Sequence, residues 1–317
     1  MKNILVLGGT GFVGMSVCEK LVERSGGGDG RITVPTRFPN RAGHIQPLPT
    51  LEIPRWDPHD DAQLDRLVRG RDAVINLVAT LHGSEAEMRR VNVDLPERLG
   101  RLCAARGVRR VVHISALGAA DDAPSKYLRT KAAGERALTR SGVDVAVLRP
   151  SVMFGEHDHL MNRFASLQKV FPVMPLAAAG ARFQPVWVDD VAVAIVRLLD
   201  PLRTERLVEC VGPNTYTLRQ LVELAGRWSG HPRPVIALPD IFGRLQAAVF
   251  ELLPGPPVIS RDNLDSMKVP SVASGRAPTL EALGVTPRAL ESVMPDILGW
   301  RQGPARLDPW RALARRR

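Results

Sequence analysis

The chain has 317 residues, of which 44% are hydrophobic, and a formal net charge of +10. That length buries one large core with a smaller appended lobe, and no apolar run reaches the length of a bilayer span. The charge excludes a nucleic-acid footprint: it is mostly arginine scattered along the chain, without a basic stripe interleaved with aromatics, and Tyr127 and Tyr216 are the only tyrosines.

The N-terminal stretch MKNILVLGGTGFVG predicts a short apolar strand, Asn3 to Leu7, and a helix from Phe12 to Arg24. It is not read as a secretion signal, because Gly8 and Gly9 break it and no small-residue cleavage site follows. Gly8, Gly11 and Gly14 give a G-x-x-G-x-x-G turn. Such a turn lets the backbone approach a pyrophosphate, with Thr10, Phe12 and Val13 beside it and the positive end of the helix dipole facing the phosphates. A dinucleotide is the expected ligand. Cys18, Cys103 and Cys210 fit no zinc or redox spacing and suit reduced core positions of a cytoplasmic protein.

A glycine-rich turn over 25–30 leads to a second strand, Arg31 to Thr36, and then to Arg37. An acidic residue there would select NAD(H); an arginine pairs with a 2′-phosphate and favours NADP(H), with help from Arg41 and with NAD(H) as the alternative. A third strand, Leu51 to Arg55, precedes Asp57, placed to accept from the adenine amino group or to cap the helix from Asp60 to Val68. Asp72 to Val78 read as a buried fourth strand, putting Leu77, Val78 and Ala79 at its C-terminal end. A long helix carries Met88, Val91, Leu95, Leu99 and Leu102, with Pro96 as a kink. The fifth strand is Arg110 to Ile114, the next helix Ser125 to Ser141, and the sixth strand Val143 to Leu148, leading to Pro150 and Val152. Alternating strands and helices predict an α/β, Rossmann-type, doubly wound parallel sheet.

The dinucleotide-binding domain is assigned to residues 1–155, completed by segments within 183–235. Residues 156–182 and 236–317 form a smaller lobe for substrate or partner. Within these, Gln184 to Val188 predict a strand, Asp189 to Leu199 a helix capped by Asp189-Asp190, and Leu207 to Val211 and Val235 to Leu238 further strands. Phe242 to Leu253 predict an apolar helix, and Thr279 to Leu298 two amphipathic pieces divided by Gly284 and Pro287. His157-Asp158-His159 lacks further ligands at metal spacing, so no metal site is assigned. His44, His59 and His82 read as surface or cap residues. In the tail, six arginines (301, 306, 311, 315, 316 and 317) face Asp308 and supply half of the net charge. With Trp300, Leu307, Trp310 and Leu313, that segment is either a solvated terminus or a contact with the inner face of an anionic membrane.

Tyr127 and Lys131 stand four residues apart, on one helix face. An ammonium beside a phenol favours phenolate, so Tyr127 is the expected proton donor and Lys131 its assistant. With these residues on the page, the chain resembles the extended or atypical short-chain dehydrogenase/reductase superfamily. The glycine turn, Trp56-Asp57, Asn76-Leu77-Val78, Asn92, His113-Ile114-Ser115, Tyr127 with Lys131, Leu148 to Ser151 and Val186 to Val191 carry the likeness. The segments Leu238-Pro239-Asp240, Gly243 to Gln246, Leu253 to Pro257 and Arg261 to Leu264 are similar to bacterial relatives of an accessory subunit of mitochondrial complex I. That likeness implies NADPH held without hydride transfer, and related proteins act in ubiquinone biosynthesis. One departure counts against activity. The hydroxyl that polarises a substrate carbonyl in active members falls on Leu117, while Ser115 lies earlier, beside the cofactor, and the connection to Tyr127 is short.

Two functions follow. The first is an NADP(H)-dependent oxidoreductase or isomerase acting on an unidentified small molecule or a quinone, with Tyr127, Lys131 and Ser115 as the incomplete triad. The second is an accessory protein holding NADPH for a respiratory or quinone-synthesis partner. Nucleotide-sugar epimerisation is a weaker third, since 156–182 shows no pyrophosphate-binding arrangement.

Overall fold

The computed structural model describes residues 1–299 except 27, 29 and 253–258. Strand β1 (Asn3–Leu7) enters the glycine turn and helix α1 (Phe12–Ser25). Then come β2 (Arg31–Thr33), β3 (Leu51–Glu52), α2 (Asp61–Val68), β4 (Ala73–Asn76), α3 (Glu85–Arg89) and α4 (Leu95–Ala105). β5 (Arg110–Ile114), α5 (Lys126–Thr139) and β6 (Val145–Pro150) complete the first half.

Among the described residues the central sheet has seven strands, in the order β3-β2-β1-β4-β5-β6 and then Leu207–Cys210, and every pairing is parallel. The order reverses between β1 and β4, which makes this an α/β, Rossmann-type doubly wound sheet with its crevice at that switch point. Alternate residues enter opposite layers: Ile4, Val6, Ile75 and Val112 join one core cluster, Leu5, Leu7, Val74 and Val111 the other. Burial on both faces is why these strands read as unbroken apolar runs.

The second half contributes β7 (Met153–Phe154), α6 (Met161–Val170), β8 (Met174–Leu176), β9 (Arg182–Phe183), β10 (Val186–Trp187), α7 (Val188–Leu198), β11 (Leu207–Cys210) and β12 (Tyr216–Thr217). α8 (Leu218–Trp228), β13 (Val235–Ala237), α9 (Asp240–Leu252), α10 (Arg261–Ser266) and α11 (Leu290–Leu298) follow. β11 is the seventh sheet strand. The others form two-stranded pairs, β7 with β10, β9 with β12 and β8 with β13.

Several expectations are corrected. β2 and β3 are shorter than predicted, because Pro35 and Pro54 interrupt their ladders; pairing returns only at the bridge between Thr36 and Arg55. The predicted long helix is α3 and α4 joined by a π-helical segment, Arg90–Asp94, with Pro96 at the start of α4. That is how the chain accommodates the proline. The cap of α2 is Asp60, which accepts from the Gln63 N–H, and Asp57 instead accepts from the His59 N–H. Asp189 and Asp190 lie inside the first turn of α7 without capping it, and the Asp190 carboxylate accepts from the Arg288 N–H at 2.7 Å. Leu253 to Pro257 and the tail from Trp300 to Arg317 lie outside the described residues.

Candidate functional site

The glycine turn closes on itself with the Gly11 N–H donating to the Gly8 carbonyl at 3.1 Å, and Gly8 takes a φ of +83° that disfavours a side chain. A Cβ on Gly14 would lie 2.4 Å from the Gly8 carbonyl oxygen, so α1 packs directly on the turn. A Cβ on Gly11 would meet only that same oxygen, at 3.3 Å, and otherwise face open space. No side chain caps α1 and its first turn has no acidic residue. The N–H groups of Phe12, Val13 and Gly14 therefore point free into the crevice, whereas Asp60, Ser125 and Thr217 cap α2, α5 and α8. An uncapped helix start behind a turn that a Cβ would fill fits a pyrophosphate.

The strand ends give the crevice its walls. Leu7 and Asn76 are paired neighbours, and Leu77, Val78 and Ala79 leave β4 half-buried to exposed beside the turn. The buried Asn76 side chain fixes that exit, accepting from the Val78 N–H and bonding His113 Nδ1 at 3.1 Å. Pro150 and Val152 lie at the end of β6, where the Pro150 carbonyl accepts from the Leu117 N–H. At the adenosine end, Arg37 and Arg41 are both exposed and flank the Phe38 ring, with guanidinium carbons 5.6 and 5.0 Å from its centroid. Neither has an acidic partner among the described residues. Thr10 offers its carbonyl to His44 Nε2 at 3.2 Å, so His44 tethers the Arg41 loop to the glycine turn rather than standing as a bare surface residue.

Lys131 is buried, and its Nζ donates to the Ile114 carbonyl at 2.6 Å. Burial lowers its pKa to about 8, opposed by the nearby Glu135 carboxylate. Tyr127 is half-buried, its phenol makes no hydrogen bond, and burial pushes its pKa up to about 12. The sequence expectation that Lys131 lowers the Tyr127 pKa is corrected: the ammonium is turned to the β5 carbonyl and desolvation of the phenol prevails. Ser115 Oγ is buried with no partner, as is His113 Nε2, whose ring is held well below its ordinary pKa by burial and then by the Lys131 charge. Leu117 is buried and supplies no hydroxyl. Two polar atoms at the end of β5, unpartnered among the described residues, are what a sugar and its attached ring would satisfy.

Sequence reasoning missed the cleft next door. A cavity of about 970 Å³ opens between Thr80–Gly83, α3, the N-terminus of α5 and the helices α9 and α10. Arg90, Lys126, Arg244, Glu251, Arg261 and Asp262 bring charge to its walls, and His59 and His82 also line it. His82 is half-buried, with its pKa lowered first by desolvation and then by Arg163. The Asp262 carboxylate accepts from the backbone N–H groups of Lys126 and Tyr127, at 2.7 and 3.0 Å, while Ser125 Oγ accepts from that of Leu128. The lobe thus grips the helix that carries Tyr127. Asn92 braces the opposite wall, bonding the Thr80 backbone twice and Thr130 Oγ1. The capping-box pattern Ser260–Asn263 was the available signal for α10, but nothing in it announces a contact more than a hundred residues upstream. Asp158, in the His-Asp-His stretch, spends its carboxylate on the Leu160, Met161 and Asn162 N–H groups that begin α6.

A family model described as the NAD dependent epimerase/dehydratase family matches residues 4–209. A curated relative, the mitochondrial NADH dehydrogenase [ubiquinone] 1 alpha subcomplex subunit 9 of Mus musculus, is 30% identical over 302 residues, covering 90% of this chain and 77% of its own. A ceramide reductase of Caulobacter vibrioides is 25% identical over 242 residues, covering 75% of this chain and 74% of its own. Among solved structures, an NADPH-dependent quinone oxidoreductase of Escherichia coli in complex with NADPH superposes with a TM-score of 0.73 at 20% identity, covering 92% of this chain and 98% of that one. That last likeness is one of fold.

Proposed function

The chain belongs to the NAD dependent epimerase/dehydratase family, an NAD(P)-binding family, and from that premise we propose that it is an NADP(H)-dependent oxidoreductase acting on a bulky carbonyl or quinone. The observation that carries this reading is that α5 bears Tyr127 and Lys131 four residues apart while Lys126, the residue before Tyr127, lines a substrate-sized cleft. A bound nicotinamide would supply or accept the hydride. The free N–H groups of Phe12 to Gly14 would hold the pyrophosphate, and Arg37 with Arg41 the 2′-phosphate. Lys131 and Ser115 would bind the sugar next to the reacting ring, and Tyr127 would give its proton to the substrate oxygen. With its pKa raised to about 12 by burial, the phenol keeps its proton at neutral pH and is present in the donor form, although as a weaker acid than an ordinary tyrosine. Without a hydroxyl at Leu117 the developing oxyanion lacks one donor, which costs about 3 kcal/mol of barrier where such donors have been removed.

A second reading is favoured by that same Leu117 and by likeness to the complex I subunit: NADPH held as a built-in part for a respiratory or quinone-synthesis partner. The rate at which nucleotide leaves the freshly purified protein, with its identity, separates the two. NADPH exchanging within seconds, together with turnover of a quinone or carbonyl compound, supports the reductase. Retention for hours with no turnover supports the built-in group, and NADH bound in preference would remove the role of Arg37.

A further inference from the structure

We propose that α9 and the β8–β13 ribbon form a docking surface for an anionic lipid bilayer. On α9, Ile241, Phe242, Leu245, Val249 and Leu252 are 79, 59, 61, 52 and 85% exposed. At 100° per residue these five fall within an arc of about 100°. The opposite arc, at Gly243 and Ala247, is buried against Ala177 and Leu264. Gln246 sits at one edge of the stripe and donates to the Pro175 carbonyl at 3.4 Å, which brings the β8–β13 ribbon alongside. There Pro175 pairs with Ile236, and Phe171, Val173 and Ile236 are again about half exposed. Soluble surfaces seldom gather so many large apolar side chains without a use for them.

The occupant is indicated by shape and charge. The stripe is a helix face of aliphatic and phenyl groups, without the tyrosines and tryptophans typical of a protein hot spot. The acidic residues of α9 are off the stripe: Asp240 stands on the buried side, lining a second cavity, and Glu251 is paired with Arg261. Cations border the ribbon instead. Lys169 is exposed beside Val170, and Arg233, just before β13, is held by the Gln168 carbonyl; neither has an acidic partner among the described residues. An apolar helix face with cations at its margin is the pattern of a helix lying in a bilayer interface. The other flank of α9, through Arg244 and Glu251, lines the 970 Å³ cleft. Docking would therefore hold the cleft mouth at the membrane surface, so that a lipid-borne carbonyl or quinone enters without crossing water. This last step alone rests on the reductase reading.

Flotation of the full chain with vesicles of phosphatidylcholine, with and without one third phosphatidylglycerol, tests the docking itself and needs no turnover. The expected result is co-flotation with the anionic vesicles, reduced at least about ten-fold by Leu245→Glu with Val249→Glu. Both positions are exposed, and unchanged nucleotide affinity would verify that the double variant is folded. Deleting 300–317 should leave most of the binding. Flotation that survives the double substitution but disappears with the tail would overturn the proposal. So would the absence of wild-type flotation, whether or not light scattering finds a dimer that the same substitutions dissociate.

Discussion

The centre of the sheet and the lobe around α9 show two different ways of making a site. Around β1, β4 and β5, each site residue follows the end of its own strand, and neighbouring strands are hydrogen-bonded in register, Leu7 opposite Asn76 and Asn76 opposite His113. Position follows from topology. The lobe has strand pairs of two or three residues and small apolar clusters, tied to the sheet side by polar contacts over long separations, such as Ser151 with Ser271 and Lys126 with Asp262. Parallel strands buried on both faces give a cradle that depends little on what surrounds it. Isolated contacts give a wall that can change from one relative to the next. On the proposed reading, the cradle would hold the nucleotide and the wall would decide what is done with it.

The comparison breaks most visibly at the glycine turn. Gly11→Val should lower nucleotide affinity by more than about 1,000-fold, since a branched side chain occupies the space of the phosphate and cancels its backbone contacts. The fold should survive, because a Cβ there meets only one atom, at 3.3 Å. Calorimetric titration with NADPH and a thermal melt check both halves of the statement; a collapsed melt would mean that the turn is held by the core rather than by the ligand. Next in size is Tyr127→Phe. Loss of a proton donor should slow a detected reduction by about 100-fold or more while the KM for nucleotide stays unchanged. An unchanged rate would remove Tyr127 from the proton-donor role.

Arg37→Asp acts on one end of the cradle only. The NADPH-to-NADH affinity ratio should fall about 10- to 100-fold, the worth of one charge-assisted hydrogen bond. If Arg41 alone suffices, the ratio will hardly move. Asp262→Ala touches the lobe's grip. Two N–H groups at the start of α5 lose their acceptor, and stability should drop by about 1 kcal/mol, as for other lost caps. Nucleotide affinity should hold while the KM for substrate rises, because Lys126 and the cleft mouth are released; equal losses in both would mean that lobe and sheet act as one unit.

How much of this was legible follows the same division. The glycine turn, β5, the start of α5 and the doubly wound parallel class come from local patterns: an apolar run, a cap, a period. Asp262 could not be found that way, because its role depends on which loop lies opposite after folding. The direction of the Lys131 ammonium was also hidden. Spacing puts it on the face of Tyr127, yet the bond it makes is to the Ile114 carbonyl, which only the packing of α5 on β5 supplies. The α2 cap was misjudged by three residues because Asp57 and Asp60 are equally good candidates on paper, and only the chain direction chooses Asp60.

The smallest effect is a pH profile, in which individual groups of the two regions respond with opposite sign. In the nucleotide half, the Asp72 carboxyl is held down to about 2, chiefly by the Asn3 N–H, and the His113 ring lies well below 6.5 through burial. Both groups bind more protons when the chain is unfolded, so both lose their contribution as the medium is acidified. Lys131 acts in the same sense at higher pH. Its folded value of about 8 against an ordinary 10.5 makes stability rise between pH 8 and 10. Above pH 10 the raised Tyr127 phenol reverses the slope, since the folded state then keeps the proton. In the lobe, burial raises the Asp158 carboxyl, so its share is present in acid and declines as pH rises through the carboxylate range. Lys131→Met should therefore flatten the melting curve between pH 8 and 10, by a few degrees. A slope that persists in the variant would mean that a group other than Lys131 carries it.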